Sequence, residues 1–321
     1  MHIRILLRFL VELGKLILRK RGWPDDDLFL RTAYRVYLKR EPDEDGRQYY
    51  LQALQRGHMS RKDVLRSLVR SNEFRSIYGL PVHPLNALHQ ARMMLVRYHL
   101  PLAEVIVDLG GASTGHPEGA LLAMGYPHHP RKIYIVDLPP SQRSSDVTNA
   151  KLYESFLTVD GIQIHYLYQS MADPLPLESA SVDLVWSGES IEHVTEAEAD
   201  IVCQEVYRIL KPGGCFCLDT PNASLTRLQS PEKLIHPEHK KEYYVHEFRS
   251  KLERWGFKIV EVKGICPMPE SLRSGIFNYR ELVANIRLSD NPEEGYLFFV
   301  KAVKPSPGGD LNESANGRRH S

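Results

Sequence analysis

From Glu104 to Lys304 the chain alternates short, nearly continuous apolar runs with longer segments whose apolar residues recur every three or four positions. Runs of five to eight apolar residues read as strands buried on both faces, and the intervening amphipathic segments read as crossover helices. The strand segments are EVIVDLG from Glu104, KIYIVDL from Lys132, IQIHYLYQ from Ile162, SVDLVWSGES from Ser181, GCFCLDTP from Gly214, FKIVEVKGI from Phe257 and GYLFFVKAV from Gly295. This alternation predicts one α/β sheet of seven strands, mostly parallel, with helices on both faces. The last two strands come late and flank a long insert, so the final one is expected to slip in antiparallel beside the edge.

Ahead of this region the period is helical throughout. Asp25 to Asp27 offer capping carboxylates to a helix whose apolar face carries Leu30, Ala33, Tyr34, Tyr37 and Leu38. PDEDG opens a second helix around Tyr50 and Leu54, and Ser60 with Asp63 forms a capping-box variant before Val64, Leu65 and Leu68. These segments predict a small all-α domain over residues 24–79. DEDG also begins like a calcium loop, but the remaining ligand positions and the closing glutamate are missing, so it reads as a capping turn.

Residues 1–22 place Ile3, Leu6, Leu7, Leu10, Leu13 and Ile17 on one helical face and Arg4, Arg8, Lys15 and Arg19 on the other. Arg4, Arg8 and Glu12 interrupt the apolar run and no small-residue cleavage site follows, so a signal peptide is not expected. Such a helix suits docking on protein or lying on an anionic membrane, and it is too short and charged to span one. The expected location is cytoplasmic, with peripheral contact at the inner face of the membrane as the alternative to docking. Beyond Pro305 the Pro, Gly, Ser and Asn content leaves too little apolar surface for order, so 305–321 reads as a disordered tail.

Composition narrows the function only by exclusion. The chain has 321 residues, 42% hydrophobic and 25% charged, with a formal net charge of +1, which offers no global attraction for nucleic acid. Cys203, Cys215, Cys217 and Cys266 form no CxxC pair and are expected to be reduced core residues. The sequence does not indicate an oligomeric state.

The chemistry concentrates at the ends of the strands. VIVDLGGASTG is a buried strand running into a small-residue turn, which lets backbone N–H groups approach a cofactor closely. Asp137 ends the next strand, where an acid can accept two hydrogen bonds from a ribose. These features, with YQSMADPLPLESASVDLVWSGESIEHV and the run from Glu205 to Gly214 ending in RILKPGG, resemble class I S-adenosylmethionine-dependent methyltransferases of the type 11/23 kind. Asp108 and Gly110 stand where that family's first motif has its acid and first glycine, and Ala112 and Thr114 occupy the positions of the next two glycines. Leu175, Pro176, Ser181, Asp183, Val185, Glu192, His193 and Val194 keep register with the later motifs, and Met171 replaces an acid often found beside the adenine.

The resemblance implies a Rossmann-like methyltransferase domain over residues 84–304 and S-adenosyl-L-methionine as cofactor. It implies cofactor contacts at Asp108, Gly110, Gly111, Ala112, Asp137, Leu138, Ser170, Met171, Ala172, Ser187 and Gly188. His193 is a candidate base, its alternative role being to pack a helix on the sheet. IHPEHKKEYYVHEF lies where such enzymes place a substrate-facing lid, which makes His239, Tyr243 and His246 further catalytic candidates, the alternative being a solvated loop. Its H-x-x-H spacing lacks a second ligand group nearby, so no metal is expected. A nicotinamide oxidoreductase would use Asp137 similarly but has no place for RILKPGG. The helical stretch LKREPDEDGRQYYLQALQRGHMSRKDVLRSLVRSNEF resembles a bacterial domain of unknown function, the 4214 type, found in surface-layer proteins and beside glycosyltransferases. The expected acceptor is a sugar of a surface polysaccharide or its lipid-linked precursor. A small metabolite is the runner-up, and a non-catalytic S-adenosylmethionine-binding module is the rival from another class.

The first 22 residues carry six basic and one acidic side chain. If they form a membrane tether, the full chain sediments with anionic liposomes at low salt and a version beginning at Trp23 does not. Equal sedimentation of the two removes the tether.

Overall fold

A computed structural model describes residues 25–42, 44–57, 59–77, 84–113, 115–142 and 152–306; the expected amphipathic helix at 1–22 and most of the C-terminal tail lie outside these. The chain divides into two compact units, Met1–Asn86 and Ala87–Ser321.

Among its described residues the first unit has the helices α1 (Asp26–Tyr37), α2 (Glu44–Gln55), α3 (Arg61–Arg70) and α4 (Asn72–Ile77). Asp25 caps α1 by accepting from the Leu28 amide at 2.7 Å, and Ser60 and Asp63 form the reciprocal capping box of α3. The core is Phe29, Leu30, Ala33, Tyr34 and Tyr37 against Val64, Leu65, Leu68 and Phe74, all buried. At the rim, Tyr50 and Ser67 hydroxyls meet at 2.8 Å, and Arg40 grips Glu73 with two N–H groups. These features match the amphipathic faces legible in the sequence.

Helix α5 (Pro84–His99) leads into the second unit, whose sheet departs from expectation in number and direction. Its strands are β1 (Val105–Leu109), β2 (Lys132–Asp137), β3 (Phe156–Val159), β4 (Ile162–Tyr168), β5 (Val182–Gly188), β6 (Leu210–Pro221), β7 (Lys258–Pro267), β8 (Leu288–Ser289) and β9 (Gly295–Val303). They lie in the order β3-β4-β2-β1-β5-β6-β9-β7-β8. The sheet therefore has nine strands, and of its eight neighbouring pairs four are parallel and four antiparallel. "Seven-stranded, mostly parallel" is corrected to nine-stranded and mixed.

The two added strands carry weak signals for physical reasons. β3 is half-exposed and pairs with β4 across an Asp160–Gly161 turn, both residues at positive φ, the two-residue hairpin that Asp-Gly favours. β8 is two residues long and pairs only with Gly264 and Ile265. β9 slips in antiparallel beside the edge strands, as expected. It inserts between β6 and β7, antiparallel to both, and buries Gly295 through Val300 completely. The parallel half, β4-β2-β1-β5-β6, is the part that positions the site.

Two hydrophobic layers cover the sheet. On one face Ile106, Leu184, Trp186 and Cys217 pack with Leu88, Ala91 and Leu95 of α5. On the other, Val107, Val185, Phe216 and Leu218 pack under α7 (Glu196–Ile209) and α9 (Val245–Arg254). The period-2 alternation of the strands supplies both layers from one run of residues. Helices α6 (Ala120–Ala123), α8 (Ala223–Gln229), α10 (Pro269–Ser274) and α11 (Tyr279–Ala284) are short. Thr195 and Glu198 cap α7 reciprocally, as expected, but β6 begins at Leu210 rather than after the glycines. Gly213 and Gly214 exchange backbone hydrogen bonds with Lys304, so the turn is absorbed into the strand. The four cysteines are free thiols, with Cys203, Cys217 and Cys266 buried and Cys215 half-buried. Among the described residues no helix is long and apolar enough to cross a membrane.

Candidate functional site

β1 delivers Asp108 and then turns at once. Gly110 has φ of +75°, a left-handed conformation that disfavours a side chain, and its amide donates to the Val136 carbonyl at 2.8 Å. A Cβ on Gly111 would fall 2.1 Å from an Asp108 carboxylate oxygen, so only glycine lets the chain fold back over that acid. Asp108 is 1% exposed and accepts from the Leu121 amide at 3.3 Å. Burial, with a smaller contribution from the Asp137 carboxylate, pushes its carboxyl up to about 7.

Asp137 closes β2 and reaches across to the turn, accepting from the Ala112 amide at 3.0 Å. The acid and the glycine turn are thus one construction. Asp137 faces Tyr168 in the register of β2 and β4, so Ser170, Met171 and Ala172 leave the sheet beside it; the Ser170 hydroxyl accepts from the Ala172 amide at 3.1 Å. Leu138 follows Asp137 and is partly exposed, while Met171 and Ala172 pack against the core. Ser187 is a different matter. It is fully buried, with its hydroxyl 2.6 Å from that of Ser190, which in turn donates to the Leu109 carbonyl, so its side chain ties β5 to β1 and is not presented to a ligand.

A cavity of about 270 Å³ opens above β1 and β5, lined among others by Asp108, Gly110, Gly111, Gly188, Trp186 and Arg92. A larger groove of about 680 Å³ lies along β7 between Arg249 and Pro305 and gathers none of the expected cofactor residues. Three tyrosines hold the loop after β1: the Tyr153 hydroxyl accepts from Gly115 and donates to Ser113, the Tyr166 hydroxyl donates to Pro117, and Tyr168 brackets the Tyr153 backbone. They were not anticipated as site residues, although the alternation in IQIHYLYQ places Tyr166 and Tyr168 on one face.

Arg92 of α5 was also missed. It is 9% exposed and binds Asp219 at 2.5 and 3.0 Å and Glu189 at 2.7 Å. Its two carboxylates hold the guanidinium firmly charged in spite of burial. Glu189, the first residue after β5, sits at φ of +47°, and its amide donates to Asp219. That left-handed step, uncommon for a side-chain-bearing residue, turns the chain from the cavity toward a second group of side chains.

This second group stands above β5 and β6. Glu192, 1% exposed, accepts from the Thr220 hydroxyl at 2.9 Å; burial first, then Glu189, pushes its carboxyl well above the usual range. His193 and His239 rings cross at 5.0 Å, with His236 at 5.3 Å from His239. Burial, followed by the neighbouring His239, lowers the His193 imidazole. His239 Nδ1 lies 2.9 Å from Glu242, whose carboxylate also accepts from Thr226 and the Ile235 amide. Against the opposing effect of burial, those bonds hold Glu242 below its ordinary value. Glu192, His193 and His239 each turn one ligand atom to within 4.8 Å of the others.

Of the expected lid residues, His239 joins His193. Tyr243 does not: it is 1% exposed, edge-on to Phe248 at 4.8 Å, and belongs to the core beneath α9. Its proposed catalytic place is corrected on that ground. His246 is exposed on the first turn of α9, stacked with Tyr244 rather than grouped with the other imidazoles.

The glycine turn after β1, the acid ending β2 and the open carboxyl ends of adjacent parallel strands form an α/β domain with the turn of a cofactor site at its first strand. Residues 108–218 match the family model for a methyltransferase domain, and residues 18–78 match the domain of unknown function DUF4214. The chain thus carries a methyltransferase domain, preceded by a DUF4214 domain, and S-adenosylmethionine is the cofactor expected of the former. A "Probable S-adenosylmethionine-dependent methyltransferase" of Mycolicibacterium smegmatis is 36% identical over 91 residues, 28% of this chain and 34% of the relative. A "Ubiquinone biosynthesis O-methyltransferase" of Xanthomonas oryzae pv. oryzae is 30% identical over 143 residues, 44% of this chain and 54% of the relative. The chain therefore spans roughly a third to a half of the length of these curated relatives. Among solved structures, an S-adenosylmethionine-dependent methyltransferase from Mesorhizobium loti matches 66% of this chain and 97% of its own, with 19% identity and a TM-score of 0.44.

Removing the Arg92 guanidinium leaves Asp219 and Glu189 without their cation. Arg92→Met is expected to lose about 3–5 kcal/mol of stability, and the double variant Arg92→Met/Asp219→Asn to recover part of it. Thermal unfolding decides: a single variant within 1 °C or so of the wild type would show the triad to be dispensable.

Proposed function

We propose that the chain is an S-adenosylmethionine-dependent methyltransferase acting on a hydroxyl acceptor. The observation that carries this is the joined construction of Asp137 and the Gly110–Ala112 turn, within a stretch that matches a methyltransferase-domain family. The residues present fit the cofactor. The Asp137 carboxylate suits a ribose diol, and Ser170 to Ala172 and Leu138 suit an adenine edge and face. The bound sulfonium supplies an activated methyl group with a good leaving group. What remains for the protein is alignment of the nucleophile, exclusion of water and removal of the hydroxyl proton.

Glu189, which pairs with the cavity-lining Arg92, is also close enough to feel the His239 imidazole, and we take the His193–His239 pair to be where an acceptor would approach the methyl group. A hydroxyl is favoured over an amine because the cluster offers imidazoles to take its proton, and one relative is named as an O-methyltransferase. A sugar of a surface polysaccharide, or its lipid-linked precursor, is the acceptor we favour. Its support is the DUF4214 domain in the same chain, whose resemblance is to modules beside glycosyltransferases. That support is associational, and a small metabolite remains the second reading.

Asp137→Ala should weaken S-adenosylhomocysteine binding by about 1.5–3 kcal/mol, the worth of hydrogen bonds to a charged group. Calorimetry on a folded variant with unchanged affinity would remove Asp137 from the site. Transfer of labelled methyl groups into a fractionated lysate identifies the acceptor directly. Label in a glycan or lipid-linked glycan fraction supports the sugar, label only among small metabolites replaces it, and no label in any fraction removes the activity.

A further inference from the structure

We propose that Glu192, His193 and His239 bind a divalent transition-metal ion of the zinc class, held against the acceptor side of the cavity. One carboxylate and two imidazoles are the ligand set of many catalytic sites that keep coordination positions open for water or substrate. Their ligand atoms lie within 4.8 Å of one another. An ion with bonds of about 2.1 Å would set them roughly 3–4 Å apart, so a small side-chain adjustment closes the shell.

The surroundings point the same way. His239 turns Nδ1 to the buried Glu242 carboxylate at 2.9 Å, which leaves Nε2 for an ion; a carboxylate behind a ligating imidazole is the usual outer-shell arrangement. Glu242 is itself fixed by Thr226 at 2.6 Å and the Ile235 amide at 2.8 Å. The charges are also unequal. Glu189, Glu192 and Asp219 converge here, and Arg92 is engaged by Glu189 and Asp219. Among the described residues Glu192 accepts a side-chain hydrogen bond only from a neutral hydroxyl, that of Thr220. A bound dication would favour the ionised form of this buried carboxyl.

The role rests on the methyltransferase reading. With both imidazoles engaged as ligands, the ion takes over from them the activation of the acceptor: a hydroxyl bound to it would lose its proton more easily and pass it to solvent. The oxygen then takes the methyl carbon while the carbon–sulfur bond breaks and its electron pair stays on sulfur, giving neutral S-adenosylhomocysteine.

The test uses the full chain, stripped with a chelator and titrated calorimetrically with Zn²⁺ in the presence of millimolar Mg²⁺. Visible absorption of the Co²⁺-loaded protein provides a spectroscopic readout independent of turnover. One ion per chain is expected, with Kd of about 10 µM or tighter. His239→Ala and Glu192→Gln should each weaken it at least about tenfold, and Glu242→Gln by about 10–100-fold, as for outer-shell partners. His246→Ala, at an exposed imidazole outside the cluster, should leave it unchanged. Zn²⁺ should raise the unfolding temperature of the wild type, a result that needs no variant to fold. No binding by the wild type, or equal binding by His239→Ala, overturns the proposal. S-Adenosylhomocysteine affinity, measured in parallel, separates the two ideas: donor binding without metal binding sinks the ion alone, and metal binding without donor binding sinks the methyltransferase reading.

Discussion

The guanidinium of Arg92 between Asp219 and Glu189 is the interaction around which the second unit's active face is built. It joins three elements far apart in the chain: helix α5, the end of β6 and the first residue after β5. Burying the charges of Arg92 and Asp219 is unfavourable unless each is paired with good geometry, and here the two-pronged contact between them and the single contact to the half-buried Glu189 satisfy that condition. The triad also holds Glu189 in its left-handed conformation, since the Glu189 amide and carboxylate are both engaged, by Asp219 and Arg92 respectively. With that step fixed, the chain after β5 leaves the cavity in one direction only.

The consequence is a division of the carboxyl-terminal face. Above β4, β2, β1 and β5 stand the glycine turn, Asp137 and the segment from Ser170 to Ala172, knitted by backbone hydrogen bonds and braced by Tyr153, Tyr166 and Tyr168. Above β5 and β6 stand Glu192 and the imidazoles, braced by Thr220, Thr226 and Glu242. The first half presents backbone and a single acid, which suits recognition of a fixed cofactor. The second presents titratable side chains, which suits chemistry at an acceptor. The antiparallel insertion of β9 buries the far side of β6, so Asp219 and Thr220 are held by a strand interior to the sheet rather than by an edge.

How much of this was legible follows the range of the interactions involved. Asp25, the Ser60–Asp63 box and the Thr195–Glu198 box were readable because a cap spans a single turn of helix. The seven longer strands were readable because burial writes a near-continuous apolar run in β1, β5 and β9 and an apolar alternation in β4 and the start of β7. β3 and β8 were not, one half-exposed and the other two residues long, and with them went the expectation of a mostly parallel sheet. Asp108, Gly110 and Asp137 stand in local motifs, so their places at the strand ends were legible. Arg92 carried no motif, since a lone arginine on an apolar helix face looks like any other until its partners arrive from β5 and β6.

The sequence by itself determined the helices and their caps, the parallel half of the sheet and the turn that can approach a cofactor, because each depends on residues within one or two elements. Tertiary structure decided which titratable groups meet. It drew Tyr243 into the core and left His246 outside, because on α9 and its approach the apolar packing of Val245, Phe248 and Leu252 sets the direction of every neighbouring side chain. It brought His239 back across the ends of β5 and β6 to Glu192 and His193, a closure made by the Lys240 and Lys241 amides bonding to the Glu192 carbonyl. Spacing within a motif cannot encode such a contact, since it depends on where the sheet places two segments that are distant in the chain.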